Sequence, residues 1–71
     1  MPEQTYFLRF AHRDSSEIEE QEYTRAADGW EAFRMFAEPD SSEMYTRIEL
    51  TEYNWKTQED RPLAALEFAP A

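Results

Sequence analysis

Glu17-Ile18-Glu19-Glu20-Gln21-Glu22-Tyr23-Thr24-Arg25-Ala26-Ala27-Asp28-Gly29-Trp30-Glu31 is the stretch on which the fold turns. Two readings compete. Tyr23, Ala26, Trp30, Phe33 and Ala37 are spaced as one stripe of a long helix over 16–38, which gives a βαββ order. Against it, Asp28-Gly29 would interrupt that helix, and Gly costs about 1 kcal/mol relative to Ala. Asp28 is also a good N-cap, with Glu31 as its capping-box partner. The preferred reading is therefore a strand over 18–25 and a helix from Asp28 to Glu38. In that helix Trp30, Phe33, Phe36 and Ala37 share an apolar arc. Glu31, Arg34 and Glu38 face water, and Glu31 can pair with Arg34. Pro39 ends the helix because it disfavours helical geometry at Glu38.

Upstream, residues 5–12 read as a strand with Tyr6, Leu8 and Phe10 on the core side and Phe7, Arg9 and Ala11 on the other. Downstream, residues 43–53 alternate most clearly. Met44, Ile48 and Leu50 point one way, with Thr46 between them; Tyr45, Arg47, Glu49, Thr51 and Tyr53 point the other way. Such alternation implies one packed and one solvated face, as in an antiparallel sheet. Residues 56–62 read as a polar loop, Leu63–Phe68 as a short last strand, and Ala69-Pro70-Ala71 as a frayed end. The expected fold is α+β in ββαββ order, a four-stranded, mainly antiparallel sheet with one helix packed on one face. Residues 1–71 form one small domain, since a chain this long has no room for a second core.

Composition bears on whether the chain folds at all. Leu, Ile, Val and Phe make up about 15% of the residues, below the roughly 20% under which charged chains are usually disordered. The aromatics offset this, because each ring buries some 150–250 Å² and they fall at periodic positions. Sixteen acidic residues stand against seven basic ones, a net charge of -9. That argues against direct nucleic-acid binding, which needs a cationic surface, and favours a basic or polar partner. No apolar run approaches the roughly 20 residues of a membrane span. With no cysteine and no secretion pattern at Met1-Pro2-Glu3-Gln4, a cytoplasmic location is expected.

Little in the chain suggests chemistry. His12 is the only histidine and thiolates are absent, so neither metal nor cofactor is expected. His12 with Ser15 or Ser16 is the one pairing for nucleophilic catalysis, and it lies at a turn. Asp14-Ser15-Ser16-Glu17 and Asp40-Ser41-Ser42-Glu43 repeat a short string whose side chains bond nearby backbone N–H groups and so start turns. The chain is expected not to be an enzyme.

Two surfaces remain as candidates. The outward face of the third strand carries Tyr45, Arg47 and Tyr53 in period two, and Trp55 continues the parity. Phe7 and Arg9 join them if the first strand pairs nearby. Tyr, Trp and Arg are enriched at binding hot spots, although such residues also stabilise a sheet through cross-strand packing alone. The expected function is a non-catalytic module for protein interaction or self-association through this face, with a protein partner or a second copy as its occupant. The second surface is the acidic patch Glu17, Glu19, Glu20 and Glu22. It would suit an acidic, nucleic-acid-mimicking inhibitor of a basic protein. The small size, the acidity, the aromatic first strand, the capped short helix and the Arg47-Ile48-Glu49 strand together resemble several small phage and mobile-element proteins. Some anti-CRISPR inhibitors are among these. The resemblance carries over no functional residue.

Overall fold

The computed structural model describes residues 3–68. The expected frayed end at 69–71 lies outside them. Their order is β1 (Gln4–His12), β2 (Ile18–Tyr23), α1 (Ala26–Phe36), a tight helical turn (Pro39–Glu43), β3 (Tyr45–Asn54) and β4 (Glu59–Glu67). The strands form one antiparallel sheet in the order β2-β1-β3-β4, and α1 packs on β1 and β3. Because β2 and β3 both run against β1, they are parallel to each other, and parallel strands need a crossover. The helix supplies it. The ββαββ reading therefore holds and the long helix over 16–38 does not form.

Leu8, Phe10, Ile48 and Leu50 are fully buried and, with Tyr6, Ala32 and Tyr45, form the core. Burying each of the large aliphatic or aromatic side chains stabilises the fold by about 1.5–3 kcal/mol. Phe33, Phe36, Leu63, Leu66 and Phe68 close its margins.

The helix departs from expectation at its start. It begins at Ala26, two good helix formers ahead of Asp28, and its N-cap is Arg25 with no side-chain cap bond. Asp28 sits instead in the first turn, where its charge favours the helix dipole. Gly29 lies inside the helix and is buried. A Cβ there would meet Tyr6 Cβ and Leu50 Cδ1 at 3.3 Å, so the glycine permits close approach of helix to sheet. Gly29 and Ala32 thus take the contact positions, and Trp30 is displaced to the rim with 37% of its surface exposed. The helix ends at Phe36, ahead of Glu38-Pro39. Glu31 and Arg34 form no ion pair.

β3 begins with a bulge. His12 pairs with Tyr45 and Ala11 with Arg47, so Thr46 is the extra residue, its hydroxyl donating to the Ala11 carbonyl. Parity reverses across it. Tyr45 turns into the core at 6% exposure, packed against Phe10 and Phe36, while Met44 is left 57% exposed. The expectation placed these two residues the other way round. Arg13 anchors the same corner, donating to the carbonyls of Ser42 and Tyr45.

β4 starts earlier than the polar run 56–62 implied. The connection is only Trp55–Gln58, closed by the Gln58 N–H on the Asn54 carbonyl, with Gln58 at φ 60°. Asn54 Oδ1 accepts from the N–H groups of Lys56 and Thr57, the Asn turn chemistry that fixes the hairpin. β4 is an edge strand, which is where a strand tolerates Pro62.

Candidate functional site

The sheet has one covered face and one open face. The shortest dimension of the molecule is 15 Å, the depth of one sheet and one helix. Strand alternation sends Thr5, Phe7, Arg9 and Ala11 of β1 to the side away from α1. The register sets Tyr53, Thr51, Glu49 and Arg47 of β3 opposite them. On the flanks, Ile18, Glu20 and Glu22 of β2 oppose Ala11, Arg9 and Phe7, while Asp60 and Glu67 of β4 oppose Tyr53 and Arg47.

This face divides in two. One end is ionic and crosses all four strands. Arg9 Nε donates to Glu20 at 2.7 Å. Arg47 donates to Glu49 at 2.9 Å and to Glu67 at 2.6 Å. Glu49 also accepts from the Thr51 hydroxyl and stands opposite Arg9. The hydrogen bond from Arg47, aided by the charges of Arg47 and Arg9, holds the Glu49 carboxyl below its ordinary value. Each pair is partly exposed and adds little on its own, but the network fixes the side chains. Arg9, Ala11, Ile18, Arg47 and Glu49 line a shallow depression of about 120 Å³.

The other end is aromatic. Phe7 meets Tyr53 edge to face at 6.4 Å, and Tyr53 meets Trp55 at 4.7 Å and 77°. Trp55 lies in the turn after β3, yet its indole Nε1–H donates to Thr5 Oγ1 at 2.6 Å, which lays the ring over the same face. Thr5 is buried as a result, while Trp55 keeps 54% of its surface exposed. Arg9 Cζ stands 5.8 Å from the centroid of Phe7 and joins the two ends.

Of the six side chains expected on this face, Phe7, Arg9, Arg47, Tyr53 and Trp55 are together on it. Tyr45 is not, for the bulge turns it into the core. The acidic patch is likewise split. Glu20 and Glu22 face the open side, Glu19 faces the helix side, and Glu17 precedes the strand. All four are exposed. Thr5 and Asp60 were not singled out from the sequence, since neither residue type announces itself without the strand register.

The pairing of His12 with a serine is not formed. The His12 imidazole lies 3.7 Å from Glu19 and edge-on to Tyr45, while Ser15 Oγ accepts the Glu17 N–H. Among the described residues no group of His, Asp or Glu could hold a metal ion, and no helix is long and apolar enough to cross a membrane. An open groove of about 360 Å³ between β2 and α1 is lined by Tyr23, Asp28, Glu31, Ala32 and Met35. No family model matches this chain, and no curated protein or solved structure matches it either.

Proposed function

We propose that this chain is a small, non-catalytic interaction module that binds another protein through the open face of its sheet. The observation that supports this reading is an uncovered face with Phe7, Tyr53 and Trp55 contiguous and Arg9 and Arg47 beside them. Aromatic and Arg side chains concentrate binding energy when a partner desolvates them. Here they are already ordered, Trp55 by Thr5 and the arginines by carboxylates, so little rotamer freedom is left to lose on binding. Cross-strand packing explains the Arg–Glu contacts, but it gives no reason for Trp55 to stay more than half exposed. The net charge of -9 points to a basic partner in preference to a second copy, which would repel the first.

The test compares the chain with its Tyr53→Ala, Trp55→Ala variant as bait in cell lysate. A partner held by the parent and lost from a variant with unchanged circular dichroism is the expected outcome. A folded variant that keeps every partner would overturn the proposal. A second reading, the acidic inhibitor of a basic nucleic-acid-binding protein, draws on the exposure of Glu17, Glu19, Glu20 and Glu22 along β2. It predicts binding that survives the double substitution and disappears at high salt.

A further inference from the structure

We infer that the aromatic end of the open face receives an arginine side chain from a basic segment of the partner, stacked on Trp55. This rests on the open face being the docking surface, and it names the chemistry of the occupant. The two ends of the face differ in their charge balance. At the ionic end both arginines are taken, Arg9 by Glu20 and Arg47 by Glu49 and Glu67. At the aromatic end the carboxylates have no cation among the described residues. Glu22 is opposite Phe7, Asp60 is opposite Tyr53, and the backbone N–H of Trp55 donates to the Glu3 carbonyl, bringing Glu3 alongside. None of the three is in an ion pair with another described residue, and Lys56 in the adjoining turn pairs with none of them.

A cation is thus favoured here twice, by the rings and by the acids around them. The indole is the best of the aromatic platforms for a cation. The molecule already uses a weaker version of the contact, with Arg9 over the Phe7 ring at 5.8 Å. Trp55 keeps 54% of its surface exposed to receive such a contact, and its hydrogen bond to Thr5 already fixes the ring. Arginine fits better than lysine, since a planar guanidinium stacks on a ring and still directs N–H groups at a neighbouring carboxylate.

The experiment uses the full chain with Trp30→Phe, so that Trp55 is the sole tryptophan. Tetra-arginine and tetra-glutamate are titrated at low ionic strength, and the Trp55 indole N–H resonance is followed. A saturable shift with tetra-arginine alone is expected, with affinity about threefold weaker in either Trp55→Ala, followed by calorimetry, or Glu22→Gln, Asp60→Asn. An undiminished affinity in these variants, or an equal response to tetra-glutamate, would overturn the inference. Competition separates this inference from the broader proposal. A partner that depends on Tyr53 and Trp55 but is not displaced by tetra-arginine refutes the arginine and leaves the docking face standing. Tetra-arginine bound at Trp55, with every partner retained by the Tyr53→Ala, Trp55→Ala variant, supports the site and refutes the docking face.

Discussion

Between Ala11 and His12 of β1 the pairing with β3 slips by one, and Thr46 is the residue left over. A bulge of this kind moves every residue on one side of it to the opposite face. It gives the core a tyrosine in place of a methionine. Tyr45 packs against Phe10 at 5.0 Å and His12 at 5.1 Å, whereas Met44 touches solvent. The two substitutions therefore differ sharply in their expected cost. Tyr45→Ala is expected to lose about 3–5 kcal/mol, the range for removing a buried ring. Met44→Ala is expected to stay within about 0.5 kcal/mol. Urea unfolding of both variants checks the pair, and equal losses would contradict the bulge. Nothing in Tyr45-Thr46-Arg47 signals this from sequence, because a bulge is decided by the partner strand and by the Arg13 anchor, not by the bulged residues themselves.

β2 shows what an edge strand can be made of. Only Gln21 and Tyr23 of its six residues are even partly buried, so it is held by backbone pairing with β1 more than by packing. Its glutamates discourage other chains from pairing with the free edge. Replacing Glu19, Glu20 and Glu22 by Gln is expected to raise concentration-dependent light scattering, and a flat response would show the edge to be guarded otherwise. The strand was legible because Asp28-Gly29 broke the helical stripe, but for a reason only partly right. Gly29 does not end or precede the helix; it lets the helix approach Tyr6 and Leu50. β4 was half legible. Leu63–Phe68 carried the apolar signal, while Glu59-Asp60-Arg61-Pro62 reads as loop because an edge strand needs no apolar residues to pair. Asn54 was the available clue to the tight turn. On the open face, period two placed Phe7, Arg9, Arg47 and Tyr53 correctly, and it failed at Tyr45 for the reason given above.

At the scale of the whole molecule, stability is bounded by pH on both sides. Glu49 is held below its ordinary value by Arg47. Its contribution is present above the unfolded carboxyl pKa of about 4.3 and is lost as pH falls through the lower folded value. Burial pushes the Tyr6 phenol up, aided by Glu52, and burial likewise raises Tyr45. The folded chain then keeps protons that the unfolded chain releases near pH 10, so stability falls as pH rises past about 10. Melting temperature against pH should show a plateau with two declines. Glu49→Gln should flatten the acid limb and Tyr45→Phe the alkaline one; an alkaline limb unchanged in Tyr45→Phe would assign it elsewhere. The strand order has a further consequence, for synthesis. The seam at the centre of the sheet joins β1 to β3, so it cannot close until the second half of the chain has been made. During that interval the apolar side of the first hairpin, with Leu8 and Phe10, waits without its neighbour strand. The hairpin's own second strand lies in the most acidic stretch of the chain, residues 14–22, and mutual repulsion between nascent chains is then the protection the growing polypeptide carries with it.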